Sequence, residues 1–260
     1  MKTNHKNQSL LMSAVKVLAR DYKKFFLSFF GVMTALYLVG FILILTGSTV
    51  RIGGIEGVYW FACLVAGLAS FREDYLFMAQ NQIPKSTMTK AFIVEGLCFG
   101  LFTSFAVSIF SFVMQLISSA LDIYLLSFLD LIPNWVKMSG LAGMGQMFIF
   151  LFFLYVGTYF TGLVIGTINY RLNWIGRIIF WVPLGFITLN GFIGVLDSIA
   201  PEDLDVASVT LAKPFIYAFE WLMKSLGNFV IASSVAIIVI IVVGALVFRE
   251  AEVKYSSNVR

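Results

Sequence analysis

The run Leu226-Gly-Asn-Phe-Val-Ile-Ala-Ser-Ser-Val-Ala-Ile-Ile-Val-Ile-Ile-Val-Val-Gly-Ala-Leu-Val-Phe248 carries no charged residue from end to end. One Asn and two Ser are too few to make a solvated face at helical period. A hydrocarbon core about 30 Å thick is crossed by roughly 20 apolar helical residues, which is the length of this run. The surrounding chain repeats the pattern. Of 260 residues, 60% are hydrophobic and 12% charged, against about 45–50% and 25% in soluble domains. A soluble globule of this size cannot hide that surplus. Disorder, collagen and a disulfide-stapled secreted fold are excluded as well.

Applying the same length test outward gives five more candidate spans, at 25–45, 55–71, 91–117, 146–169 and 174–196, with 226–248 the sixth. The expected fold is an all-α integral membrane protein: six transmembrane helices forming one domain over 1–260. The second span is the shortest and has Glu56 at its edge. No cleavable leader is expected, because 25–45 exceeds an h-region and a long polar stretch precedes it.

Lys and Arg fix the expected orientation. With both termini cytoplasmic, 14 of the 18 basic residues fall inside, leaving Arg51, Lys137, Lys213 and Lys224 outside. Glu56, Asp122, Asp130, Asp197, Glu202, Asp203, Asp205 and Glu220 also fall outside. The even span number agrees with the charge bias.

Three connecting pieces have character of their own. Over 9–24, Leu11, Ala14, Val15, Leu18 and Tyr22 share one helical face, with Lys16, Arg20 and Lys23 on the other. That pattern suits an interfacial helix with its basic face toward anionic lipid or a partner; a plain positive flank would explain the lysines but not the period. Over 72–82, about three helical turns are expected. Glu73 and Asp74 suit the positive end of the dipole, Pro84 ends the helix, and Ser86 or Thr87 is placed to cap the next span. Beyond the acidic stretch 201–205, residues 206–225 are apolar again but broken by Pro214. They read as an outer re-entrant or interfacial helix.

Inside the spans, Ala62, Ala66 and Ser70, then Thr158, Gly162 and Gly166, recur at helical spacing. Such rows let helices approach closely in lipid, within one chain or across a dimer. Pro183 and Gly185 are expected to kink the fifth span. Glu95 is the one ionisable residue well inside a span, one turn from its cytoplasmic end, where it can snorkel. Cys63 and Cys98 lie in apolar runs and read as packing residues. His5 is the only histidine, so a His-Glu-x-x-His metalloprotease or an intramembrane Ser-His protease has no ligand or base in the apolar body. No metal site is expected, and a net charge of +4 spread along the chain argues against nucleic acid.

The order of these pieces resembles the membrane subunit of an ABC transporter of the type-2 exporter superfamily, the stand-alone permeases of bacterial peptide, antibiotic and polysaccharide exporters. The most characteristic stretch is Phe71-Arg72-Glu73 through Gln82-Ile83-Pro84-Lys85-Ser86-Thr87, similar to the family's coupling helix and its Ser/Thr-basic turn. Here the basic residue precedes the serine, where many members have Ser-Arg-Lys. The resemblance implies a multi-pass protein of the bacterial plasma membrane, working with a second permease copy or homologue and a cytoplasmic ABC ATPase. ATP and magnesium would belong to the ATPase; this chain has no Gly-x-x-x-x-Gly-Lys-Ser/Thr loop, no cofactor and no catalytic residue. The implied ATPase-coupling residues are Arg72, Glu73, Asp74, Tyr75, Phe77, Met78, Pro84 and Lys85, braced by the 9–24 helix. The 27 Phe suit an amphipathic peptide, antimicrobial or lipid-like cargo.

Two other classes stand beside this reading: a non-transporting membrane sensor or immunity partner, and a membrane-embedded transferase. The second lacks the Asp-rich or Asp-Gly/Ala-Arg signatures of prenyl and phospho-alcohol transferases. The topology is tested with reporter fusions. Those after Lys24, Lys85, Asn173 and Tyr255 should report the cytoplasm, and those near Gly53, Pro133 and Asp203 the exterior. A cytoplasmic signal at Asp203 would remove a span and, with it, the resemblance.

Overall fold

A computed structural model describes residues 2–46, 55–121, 140–183, 217–218 and 220–249. Its elements are α1 (Lys2–Leu45), α2 (Ile55–Gln80), α3 (Lys85–Leu121), α4 (Gly140–Arg171), α5 (Trp174–Pro183) and α6 (Leu226–Arg249). Among the described residues there is no strand. Five helices, all but α5, are long and apolar enough to cross a membrane. The second half of the expected fifth span, Gly185, the acidic stretch 201–205 and most of 206–225 lie outside the described residues. The described part of that fifth span, Trp174–Pro183, is helical.

Two expected breaks are absent. The 9–24 segment and the first span form one helix of 44 residues, about 66 Å long at 1.5 Å per residue. That is twice a hydrocarbon thickness, so the polar half of α1 stands beyond the apolar one on the same axis. No proline interrupts 2–45, and a change of composition does not break a helix. Likewise 72–82 is not a separate helix. α2 runs through Phe71 to Gln80, held across the expected break by Ser70 Oγ donating to Asp74 Oδ2 at 3.1 Å and by Phe71 stacked on Tyr75 at 5.2 Å.

The end of α2 is specified by backbone chemistry. Gln82 takes a positive φ of 53°. Its N–H donates to Ala79 O, and that of Ile83 reaches back to Met78 O, both at 3.1 Å. This is the paired bonding of a Schellman motif, with Gln82 where glycine is usual. Pro84 then accepts from Thr87 N (2.8 Å) and Met88 N (3.0 Å). Pro84 therefore occupies the cap position of α3, and the expected caps, Ser86 and Thr87, fall inside its first turn. α6 has a side-chain cap: Ser225 Oγ accepts from Asn228 N at 3.2 Å.

α4 is the axis of the bundle. It packs most extensively on α2, then on α6 and α3, while α1 leans mainly on α3. The small-residue rows serve the α2–α4 contact. Ala62, Ala66, Ser70 and Gly162 are buried there and Gly166 is half-buried. A Cβ added at Gly67 would run into the backbone oxygen of Tyr159, and one at Gly162 into that of Leu64. The two backbones touch, so only glycine fits.

Gly162→Ala should therefore push α2 and α4 apart and cost about 1–3 kcal/mol, the usual range for overpacking. Gly31→Ala, where an added Cβ meets nothing within 4 Å, should stay within about 0.5 kcal/mol. Thermal unfolding of the detergent-solubilised protein separates the two.

Candidate functional site

The hairpin joining α2 to α3 gathers most of the residues that the sequence marks for a partner, and it divides them. Tyr75 and Met78 are each 1% exposed; they point into the chain's own core and are not available for docking. The resemblance implies both as coupling residues, but rings of α4 and α6 already cover Tyr75. Phe77, by contrast, is 43% exposed. Gln80, Asn81, Gln82, Pro84, Lys85, Ser86 and Lys90 are exposed around it. Asp74 is half-buried and accepts from Ser70. Arg72 and Glu73 occupy the same turn of α2; their side chains lie outside the described set.

Beneath this tip is a cluster of aromatic rings from four helices. Phe71 lies 6.2 Å from Phe92 of α3, 5.9 Å from Tyr170 of α4 and 5.7 Å from Phe248 of α6. Tyr75 meets Tyr170 at 5.7 Å and Phe248 at 5.3 Å, both edge to face. Edge-to-face pairs add about 0.5–1.5 kcal/mol each beyond burial. Arg171 Nη1 donates to Val247 O at 3.3 Å, tying the ends of α4 and α6 beside the cluster. The tip is thus an exposed polar and basic knob on a rigid foot.

A second feature lies between α1 and α3. A cleft of about 450 Å³ is lined by Val15, Lys23 and Phe26 from α1 and by Glu95, Cys98, Phe99 and Phe102 from α3. Glu95 is only 5% exposed: it is buried against this cleft and does not snorkel to solvent. Val15 and Lys23, expected on opposite faces, line the same cleft. Eight residues apart, they differ by only about 80° around the helix. Lys16 and Arg20 sit on the same stretch of α1, their side chains outside the described set.

The third feature is one the sequence does not reveal. Glu56, expected at a solvated outer edge, is 3% exposed in the first turn of α2. Ser111 Oγ donates to its Oε1 at 2.8 Å, and Tyr155 OH donates to its backbone oxygen at 3.1 Å. One glutamate thereby joins α2, α3 and α4 at the end opposite the hairpin. The available signal was its position after a glycine pair, immediately inside an apolar run.

Among the described residues, no three of His, Cys, Asp and Glu come together as a metal-holding group. No family model matches the chain, and neither a curated protein nor a solved structure is found similar to it.

The division of the hairpin is open to measurement. Tyr75→Ala empties a packed aromatic position and should cost about 3–5 kcal/mol of stability. Phe77→Ala, two residues on, should cost no more than about 0.5 kcal/mol. Chemical unfolding in detergent checks both; equal losses would place Phe77 in the core as well.

Proposed function

We propose that this chain is the membrane subunit of an ATP-driven exporter of the type-2 ABC kind, in a bacterial plasma membrane. In this reading it has six spans and cytoplasmic termini, works beside a second permease, and takes its energy from a separate ATPase. The observation that carries the reading is the α2–α3 hairpin, whose exposed tip stands directly on the four-helix aromatic cluster. A soluble ATPase gripping Phe77, Pro84 and Lys85 would deliver its closure to α2, α3, α4 and α6 together, because Phe71 and Tyr75 leave little slack between them. Transmission of this kind needs a tight foot and an accessible tip.

The coupling element differs from the separate helix expected. It is the end of α2 with its capping turn, so its docking face is the exposed side of the hairpin. The groove between α2, α4 and α6, about 320 Å³, has walls of Trp60, Phe61, Phe153 and Phe229 with Thr158, Thr161 and Ser233 among them. Such walls suit an amphipathic cargo that brings few polar groups.

Co-expression with candidate ATPases tests the reading. The chain alone should hydrolyse no ATP, and a soluble ATPase should co-purify with it. The double variant Phe77→Ala, Lys85→Glu should keep its unfolding temperature and lose that association. Interface hot spots cost about 2 kcal/mol or more, roughly a thirtyfold loss of affinity. Control reversals at Glu202 and Asp203 should leave the complex intact. Normal complex formation in the double variant would remove the hairpin from the interface. A stable complex that moves no cargo would favour the sensor or immunity reading.

A further inference from the structure

We infer that the groove between α2, α4 and α6 binds one unbranched acyl chain, which enters from the leaflet away from the hairpin. This narrows the ligand of a groove already described, and it stands whether or not the protein is an exporter subunit.

The groove is a wedge, and the aromatic cluster is its closed end. Phe248 of α6 lies 5.7 Å from Phe71 and 5.3 Å from Tyr75, so α2 and α6 meet beside the hairpin. Farther from it each rests on α4 instead, Gly67 against the backbone of Tyr159 and Phe229 on Phe150 at 4.5 Å. Between these two contacts α4 is left as a floor, presenting Gly157, Thr158 and Thr161. Trp60 and Leu64 stand on one wall; Phe229, Ser233, Ile237 and Ile240 stand on the other.

Its dimensions select the occupant. From Phe229 to Ile240 is eleven residues along one helix, about 16.5 Å of axis. Half of a hydrocarbon core about 30 Å thick is about 15 Å, so the groove is as long as one leaflet is deep. Its volume of about 320 Å³ spread over that length gives a cross-section of about 19 Å². A helix about 10 Å across needs nearly 80 Å², so a whole helix cannot lie in it. A polymethylene chain, one carbon wide, can.

The chemistry agrees. Among the described residues no charged side chain lines the groove. Thr158 and Thr161 give their hydrogens to Leu154 O and Gly157 O, at 2.7 and 2.8 Å, so an occupant gains contact from them and no hydrogen bond. On the flat outside of a bundle a lipid chain touches protein on one side only. Here a floor and two walls surround it, and dispersion contacts multiply accordingly. The chain is what is recognised; the headgroup stays outside.

Gly157 supplies the test. A Cβ added there meets Ile237 Cγ1 at 3.6 Å, an ordinary contact, so a larger side chain can extend into the groove without moving the backbone. Delipidated full-length protein in detergent is mixed with palmitate carrying a photoactivatable diazirine at mid-chain, and the crosslinks are mapped by peptide mass spectrometry. Labelling of 60–64, 153–161 and 229–240 should saturate, while labelling of α1 at the exposed Leu36 and Val39 should keep rising with probe. Unlabelled palmitate and a lysophosphatidylcholine of the same chain should compete alike. Cholesterol, a rigid ring system several carbons wide, should not. Gly157→Leu should lower the saturable labelling at least about tenfold, the affinity that two buried methylenes carry. Its unfolding temperature and its α1 labelling should not change.

An unlabelled groove in the unmodified protein would mean that residues 184–216 or a second copy fill it, and labelling that never saturates would mean ordinary boundary lipid. Either result overturns the proposal, as does cholesterol competing as well as palmitate. If Gly157→Leu fails to fold, Ala236→Phe fills the groove from the exposed side of the α6 wall, and the same loss is expected. Unchanged saturable labelling in a folded filling variant would place the chain elsewhere and overturn the proposal too. No ATPase enters the experiment, so its failure and that of the exporter reading are distinguishable.

Discussion

The close approach of α2 to α4 is the constraint on which the rest of the structure depends. Lipid tails are as apolar as leucine, so burial against hydrocarbon gives two helices no reason to associate. Dispersion does, provided the backbones come close enough for many atoms to touch at once. Gly67 against the backbone of Tyr159 and Gly162 against that of Leu64 supply this approach at two levels. Once it is made, the hydroxyls of α4 come within reach of α2. Tyr155 bonds the Glu56 carbonyl. Tyr159 lies 3.2 Å from Ser70 Oγ, and because Ser70 gives its own proton to Asp74, Tyr159 is the donor. A slip by one turn would lose all of these bonds and separate the Phe71–Tyr170 pair, so this contact sets the register for the aromatic foot.

The remaining polar side chains are largely kept from competing with that contact. Thr103, Thr158, Thr161, Thr167 and Ser234 each return their hydroxyl to a carbonyl four residues back in their own helix, at 2.6–2.8 Å. In an apolar medium an unsatisfied hydroxyl is expensive, and back-bonding settles it locally without choosing a neighbour. Among the described residues, the inter-helix polar bonds carry position. Glu56 with Ser111 joins α2 to α3, Ser70 with Tyr159 joins α2 to α4, and Asn169 with Trp181 at 2.6 Å holds α5 against α4.

Five of the six expected spans coincide with long apolar helices, and these were legible because they rest on length and on absence of charge, which are local properties. Where the helices end was not. Residues 24–25 and 71–72 mark real changes of composition, yet nothing there interrupts the i to i−4 ladder, so α1 and α2 continue. The end that was read correctly, near Gln82, is fixed by the next proline and by a backbone motif. The small-residue rows were visible as rows, but their partner was not: periodicity identifies a face and says nothing of what covers it. The same limit explains Tyr75 and Met78, whose apolar face belongs to the chain's own core. Glu56 and Glu95 show it most plainly. Each is a glutamate near the end of an apolar run, and only tertiary packing gives one a serine from α3 and the other a cleft against α1.

The bundle is therefore unevenly bound, and the unevenness bears on function. α2, α4 and α6 share the glycine contact, the Phe150–Phe229 pair at 4.5 Å and the ring cluster. The apolar window of α1 has none of its residues buried. Displacing α1 would forfeit the edges of Phe30 and Tyr37 on Phe110 and the contacts of Phe29 and Phe30 with Tyr59, whereas displacing α2 would break the core. Of the two, α1 is the helix that can move at low cost. α3 is the element able to move it, because it starts at the hairpin tip, joins the aromatic foot through Phe92, and meets α1 at the cleft and at Phe110. In the proposed exporter, force applied at Lys85 would reach α1 through α3 and open or close the cleft between them.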